Sequence, residues 1–130
     1  MEPLWGNRVY RIATNLGKVL AFYWLENADT MDSYGVIERS GKYYLVSMYD
    51  TLFGSYGDPF SGRTVEEIGS QMLDGAEIRN TIQEMVSFLR AEHDEYQELV
   101  DSDESPDSYW QKDPRGAYGA LAYMLENPEE

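Results

Sequence analysis

The segment from Tyr34 to Tyr49 constrains the fold of this chain most strongly. Two runs rich in aromatic and β-branched residues, Tyr34–Arg39 and Lys42–Tyr49, flank the dipeptide Ser40-Gly41. Ser-Gly is a weaker two-residue turn than Asn-Gly, but the flanking residues are typical of paired strands. The segment is therefore predicted to form a β-hairpin, which indicates an antiparallel sheet in the first half of the chain.

Two further runs are candidate strands of the same sheet. Val9–Thr14 alternates moderately between apolar and polar residues, and a turn is expected to follow at Asn15–Gly17, where glycine can adopt positive φ. Val19–Leu25 is apolar on both alternating faces, with Val19 and Ala21 on one face and Leu20 and Phe22 on the other. This pattern is typical of a central strand, although a buried helical segment is an alternative for so short a run.

The sequence changes character between residues 51 and 63. Three glycines and one proline are interspersed with large apolar residues, and the glycine spacing does not fit a phosphate-binding loop. Two interpretations stay open for this stretch. Its apolar residues either hold a connection against the sheet, or Phe53, Tyr56 and Phe60 are exposed and contact a partner, as residues of binding loops often do.

The second half of the chain carries helix start signals. Thr64–Glu67 fits a capping box, and Asp74–Glu77 repeats the pattern before a longer helix predicted over about residues 75–101. That helix would carry a buried stripe at helical spacing, formed by Ile78, Ile82, Met85, Leu89, Tyr96 and Leu99. Ser105-Pro106 and Asp113-Pro114 are expected to start two shorter helices, and the last of them ends at Asn127-Pro128.

Together these signals predict an α+β fold: a small antiparallel β-sheet of three or four strands from the N-terminal half, packed against three or four α-helices from the C-terminal half. The length of 130 residues fits one domain. Residues 1–130 are therefore expected to form a single domain, with a β-rich part (1–50), an aromatic and glycine-containing loop (51–63) and an acidic helical part (64–127).

Charge is distributed unevenly along the chain. Ten Lys and Arg residues stand against 24 Asp and Glu, and 17 of the acids but only four of the bases lie in residues 66–130. Such a negative field repels nucleic acid and anionic membranes and attracts basic proteins. Direct partners of the first two kinds are therefore not expected. The alternative is that the acidity serves only to keep the protein soluble.

The most concentrated acidic stretch is called the acidic ridge here. It consists of Glu92, Asp94, Glu95, Glu98, Asp101, Asp103 and Glu104. Residues 92–101 contain five carboxylates and no Lys or Arg, which on a helix amounts to one charge per ~3 Å of axis. One strand of B-DNA carries a phosphate every ~3.4 Å. The ridge is either a hydrated helix face or a surface that imitates the charge of a nucleic-acid strand.

Residues for catalysis or metal binding are few. The chain has no cysteine and a single histidine, His93, which excludes thiolate nucleophiles, cysteine-based metal sites and sites with several histidines. His93 is expected at the margin of the apolar stripe, and no Gly-x-Ser-x-Gly elbow is present. Residues 101–112 begin like a calcium loop but have Pro106 where glycine is needed and Lys112 where a glutamate should chelate. No enzymatic activity, metal or cofactor is expected.

These observations predict a non-enzymatic inhibitor that occludes the nucleic-acid-binding groove of a basic protein, such as a nuclease, by charge mimicry. Phe53, Tyr56 and Phe60 are candidate anchors beside the acidic ridge. Small acidic α+β proteins of this size include inhibitors that phages and mobile elements carry against host nucleases, of the anti-CRISPR or anti-restriction type. The alternative is an immunity-type or adaptor protein that binds a toxin or another protein. Because the chain starts without a basic segment and apolar core typical of signal peptides, a cytoplasmic location is expected.

Overall fold

A computed structural model describes residues 8–26, 30–51, 62–102 and 115–128. The secondary-structure elements in these ranges are α1 (Arg8–Leu16), β1 (Lys18–Glu26), β2 (Thr30–Arg39), β3 (Lys42–Thr51), α2 (Val65–Asp74), β4 (Glu77–Arg79), α3 (Ile82–Ser102) and α4 (Arg115–Glu126). The strands form one antiparallel sheet in the order β1-β2-β3-β4. The predicted α+β class is confirmed.

The hairpin predicted around Ser40-Gly41 is present. β2 and β3 pair from Arg39 opposite Lys42 at the turn to Thr30 opposite Thr51 at the far end. Both turn residues have positive φ, 53° for Ser40 and 77° for Gly41, as a two-residue turn between strands with the usual right-handed twist requires. Local turn chemistry therefore sets the register of the two central strands.

Helices cover both faces of the sheet. α1 and α2 lie on one face, where their apolar residues pack with one side of the strands. α3 and α4 lie on the opposite face and pack with the other side. The first core contains Val9, Ile12, Ala13, Phe22, Ile37, Val46, Met48, Ile68 and Met72, and the second contains Ala21, Val36, Leu45, Met85, Leu89, Leu121, Ala122 and Leu125. The sheet is thus the middle layer of three.

β1 confirms the strand predicted over Val19–Leu25 and excludes its helical alternative, but it is an edge strand and not a central one. Its residues are apolar on both sides because both faces of the sheet are covered, even at the edge. A β-bulge lies between Val19 and Ala21. The bulge reverses the alternation, so that Val19 packs on the same face as Phe22 and not on that of Ala21.

The strand predicted over Val9–Thr14 is wrong, because these residues belong to helix α1. Val9, Ile12, Ala13 and Leu16 recur at helical spacing and face the core, and this period outweighs the weaker alternation. The helix ends where the Arg39 guanidinium donates a hydrogen bond of 2.7 Å to the carbonyl of Leu16. That bond caps a carbonyl left open by the helix end.

Gly17 follows α1, but not for the predicted reason. Among the described glycines only Gly41 and Gly62 have positive φ. At Gly17 the constraint is space, since a Cβ atom there would lie 2.4 Å from the backbone carbonyl oxygen of Glu38. The close approach of this corner to β2 therefore requires a residue without a side chain.

The capping box at the start of α2 is confirmed. The Glu67 amide donates to Thr64 Oγ1 at 3.1 Å, and the Thr64 amide donates to Glu67 Oε1 at 3.4 Å. The second predicted box, at Asp74–Glu77, is wrong. Gly75 instead caps the C-terminus of α2, with its amide donating to the carbonyl of Gln71 at 3.2 Å.

The long helix therefore begins at Ile82 and not near residue 75. β4 lies between the two helices and pairs with residues Tyr43–Leu45 of β3. Thr81 starts α3, since its hydroxyl accepts from the Glu84 amide at 3.0 Å while the Glu84 carboxylate accepts from the Asn80 amide at 3.3 Å. α4 confirms the last predicted helix, whereas the helix expected from Ser105-Pro106 lies outside the described residues.

Candidate functional site

The second half of α3, which carries most of the acidic ridge, is positioned by its packing against α4. Met85 and Leu89 of α3 are fully buried in the core beneath the sheet. One turn beyond Leu89, the ring of His93 packs against Gly119 of α4, where an added Cβ would approach His93 Cδ2 to 3.1 Å. His93 is half-buried, which confirms its predicted place at the margin of the apolar stripe.

The structure places five of the ten predicted partner-binding residues on this one helix. Glu92, Asp94, Glu95, Glu98 and Asp101 all lie within α3. The remaining five lie outside the described residues: Phe53, Tyr56 and Phe60 of the aromatic loop, and Asp103 and Glu104 of the acidic ridge. The site described below is therefore the helical part of the acidic ridge.

Helix geometry divides these five acids between two faces. Asp94, Glu98 and Asp101 follow one another at spacings of four and three, so they share an arc of about 60°. Glu92 lies about 160° from Asp94 and only about 60° from buried Leu89. Its half-buried state agrees with that position, whereas Asp94 and Glu95 are exposed. By their positions on the helix, Asp94, Glu98 and Asp101 thus form one line, of which Asp94 is exposed, with Glu95 beside it.

Within the described ranges, little positive charge lies on the helix that carries this line. α3 contains six carboxylates and one arginine, Arg90, and that arginine forms an ion pair with Glu126 of α4. His93 Nδ1 lies 3.3 Å from Asp94 Oδ1, a contact that neutralises charge only when the ring is protonated. Within the described ranges, neither Glu92 nor Glu95 forms an ion pair. Among the carboxylates of α3 whose exposure is described, Glu84, Asp94 and Glu95 are exposed to solvent.

The position of the last of these carboxylates, near the C-terminal end of α3, is unfavourable for the helix itself. The C-terminal end of a helix carries a partial negative charge, so nearby acids destabilise it by about 0.3–1 kcal/mol each. The last turn of α3 contains no basic residue to offset this effect. Asp94 and Glu98, one turn apart, add a repulsion of about 0.2–0.5 kcal/mol. The acids near the end of α3 therefore oppose the stability of the helix that carries them.

The N-terminal end of α3 shows the opposite arrangement. Glu84 lies in the first turn, where negative charge is favourable, and its carboxylate caps the helix. A shallow groove beside it is lined by Arg79, Thr81, Gln83, Glu84, Ser87 and Phe88. The Arg79 guanidinium stacks 4.6 Å from the centre of the Phe88 ring and lies 3.3 Å from Glu77. The groove escaped the sequence interpretation because it forms only where β4 leads into α3.

A second cleft missed from the sequence lies at the outer edge of β1, the first strand of the sheet within the described ranges. It has a volume of about 150 Å³ and is lined by residues 19–22, by Tyr10 of α1 and by residues at the C-terminal end of α4. The sequence gives no sign of this cleft, because the strand order that places β1 at the edge depends on pairing between distant residues. Unpaired strand edges offer backbone amide and carbonyl groups to another strand.

The described residues show no arrangement suited to metal chemistry. No group of three His, Asp or Glu side chains in ranges 8–26, 30–51, 62–102 and 115–128 is placed to hold a metal ion. None of the helices in the same ranges is long and apolar enough to cross a membrane. No family model, curated protein or solved structure matches this chain. The charge of α3 is therefore the feature from which a function is proposed.

Proposed function

We propose that this protein is a non-enzymatic inhibitor that places its acidic ridge in the nucleic-acid-binding groove of a basic protein and thereby excludes the nucleic acid. The observation that carries the proposal is the line of Asp94, Glu98 and Asp101 on α3, with Glu95 beside it. No Lys or Arg occurs between Arg90 and Lys112. Arg90 itself is engaged by Glu126, on the neighbouring helix.

The spacing of these charges suits a groove that binds phosphates. With about one carboxylate per 3 Å of helix axis, α3 offers arginine and lysine side chains a charge density close to that of a nucleic-acid strand. Charge of this kind accelerates association and selects basic partners.

Tight binding needs desolvated contacts as well as charge. We assign these contacts to Phe53, Tyr56 and Phe60 of the aromatic loop, since aromatic side chains bury large areas with little loss of conformational entropy. The proposal therefore separates two contributions. The acidic ridge determines the rate of association and its salt dependence, and the aromatic loop slows dissociation.

The test is capture of a partner from a cell lysate by the tagged full-length chain, with washes at low and high salt and identification by mass spectrometry. The proposal expects a basic nucleic-acid-binding protein that is released by high salt and displaced by added polynucleotide. A captured partner that is not basic, resists salt and ignores polynucleotide would contradict it and favour the immunity-type or adaptor alternative.

Two double variants separate the acidic ridge from net charge. Asp94→Lys with Glu95→Lys alters exposed residues of the ridge, and Glu66→Lys with Asp74→Lys alters exposed residues of α2. Both variants change the net charge of the chain equally. Loss of the partner is expected for the ridge variant alone. Equal loss in both variants would show that net charge, and not this surface, drives capture, and full retention by the ridge variant would refute the proposed surface.

A further inference from the structure

β4 is the last strand of the sheet in the described part of the chain. It pairs with β3 on one side, and the sheet order places no described strand on its other side. Its middle residue, Ile78, is 44% exposed, so apolar surface lies at this edge. An open strand edge of this kind has the capacity to pair with another strand.

The residues on either side of Ile78 carry opposite charges on the same face of the sheet. Glu77 and Arg79 are two positions apart in the strand, so their side chains point to one face, and Arg79 Nη1 lies 3.3 Å from Glu77 Oε2. The guanidinium also donates to the Ile78 carbonyl at 2.8 Å and stacks on the Phe88 ring. These contacts hold the positive charge beside the strand.

This order of charges is self-complementary. If two copies of β4 pair antiparallel about a two-fold axis at Ile78, each Ile78 lies opposite the other, and Glu77 of each copy lies opposite Arg79 of its neighbour. Opposite charges at such cross-strand positions stabilise the pair. Charged side chains at a strand edge usually oppose pairing, but this arrangement makes them attractive toward a second copy.

The surface beside β4 leaves room for the rest of a second copy. α3 begins at Ile82, three residues beyond β4, and Ile82 is 38% exposed. The groove next to β4 lies on the side of α3 turned away from α4, because Phe88 is about 160° around the helix from Arg90, the residue that pairs with Glu126 of α4. A two-fold axis perpendicular to the sheet makes the two α3 helices run in opposite directions. Their acidic C-terminal halves therefore point away from one another.

We propose that two copies of this chain associate through antiparallel pairing of β4 about Ile78, which forms a two-fold symmetric dimer with one continuous sheet. The self-complementary order of Glu77, Ile78 and Arg79 selects a second copy as the occupant of this edge. Two-fold symmetry makes the same patch serve both copies, as in most soluble homodimers. The inference is independent of the proposed function, because it uses none of the ridge residues.

Disulfide trapping tests the register directly, since the chain has no cysteine of its own. A residue on the two-fold axis lies opposite itself, with about 4.5–5.5 Å between the Cα atoms, a distance that a disulfide spans. Any disulfide in Ile78→Cys must join two copies. The proposal expects a covalent dimer in a non-reducing gel, and none from Val65→Cys, at a more exposed position on α2. Absence of the first product, or equal yields of both, would overturn the register.

Sedimentation velocity over a range of protein concentrations tests the charge pairs with the full-length chain. The expected species has about twice the chain mass of 15.0 kDa. Glu77→Arg and Arg79→Glu should each raise the dimer dissociation constant by about tenfold, because symmetry turns both opposite-charge pairs into like-charge pairs. The double variant Glu77→Arg/Arg79→Glu restores both pairs and should recover the dimer. The control Arg90→Glu breaks an exposed ion pair with Glu126 and should have no effect.

Recovery by the double variant shows that a monomeric single variant has lost the contact and not its fold. A wild-type chain that sediments as a monomer throughout the range overturns the proposal. A dimer that survives both single reversals also overturns it, as does a double variant that stays monomeric with an unchanged circular dichroism spectrum.

Discussion

Replacing the last acidic residues of α3 by lysine should stabilise the protein. Asp101 is the penultimate residue of the helix, and Glu98 lies one turn beyond Asp94. Lysine at these positions removes carboxylates from the negative end of the helix and adds favourable charge, at about 0.3–1 kcal/mol for each residue. It also converts the Asp94–Glu98 repulsion into an attraction, at about 0.2–0.5 kcal/mol per interaction. The variant Glu98→Lys/Asp101→Lys should therefore gain about 1–2 kcal/mol in free energy of unfolding.

The matched control makes the same substitution at the other end of the same helix. Glu84 lies in the first turn, and its carboxylate accepts a hydrogen bond of 3.3 Å from the Asn80 amide. Glu84→Lys loses this cap and places positive charge at the positive end of the helix. We expect it to cost about 1 kcal/mol. Opposite signs at the two ends would show that position along the helix, through the dipole and the cap, decides the effect and not net charge, since the change in net charge per substitution is the same.

Urea unfolding followed by circular dichroism measures both effects, and thermal unfolding should show a rise of roughly 4–8 °C for the double variant. High salt should reduce the gain, because these charges are at the surface. A double variant no more stable than the wild type at low salt would refute the reasoning. It would mean that Glu98 or Asp101 stabilises the fold through its side chain. The expected combination, higher stability with loss of partner capture, is typical of acidity that serves binding.

Three smaller predictions concern contacts that hold the fold. Gly17→Ala should lower the free energy of unfolding by about 1–3 kcal/mol, because the new Cβ would lie 2.4 Å from the Glu38 carbonyl oxygen. The control Gly116→Ala has open space around it and should not destabilise the protein. Equal urea midpoints for the two variants would contradict this. Arg39→Met should lower the free energy of unfolding by about 0.5–1.5 kcal/mol through loss of its bond to the Leu16 carbonyl, and an unchanged midpoint would show that this cap is dispensable. Thr64→Val should lower the free energy of unfolding by about 1 kcal/mol and speed amide hydrogen exchange at the start of α2. Unaltered exchange there would argue against the capping box.

Several elements could be predicted because their signals are local. The Ser40-Gly41 turn, the Thr64–Glu67 capping box and the end of α4 before Asn127 each depend on residues a few positions apart. Hydrogen bonds of this range form in the same way wherever the segment lies. The linear charge density of the acidic ridge is equally a property of the sequence and the helical rise alone.

Other elements depended on contacts between distant residues. β4 has three residues and exists as a strand only because Tyr43–Leu45 is there to pair with it, so no local pattern indicates it. α1 carries a helical period and a weak alternation together. Packing of Val9 and Ile12 against the sheet and the Arg39 cap on Leu16 favour the helix. When a short segment fits both a helical and a strand pattern, its tertiary contacts decide which of the two it forms.

The candidate site shows the same division. The amino-acid sequence by itself determined the fold class, the two-residue hairpin and the amount of acidic charge on α3, because composition, turn chemistry and helical period are local properties. Only the tertiary structure decided that Arg90 is engaged by Glu126, that His93 packs against Gly119 and that β1 is an edge strand. Each of these involves residues far apart in the chain, and their proximity is set by how helices and strands pack on one another.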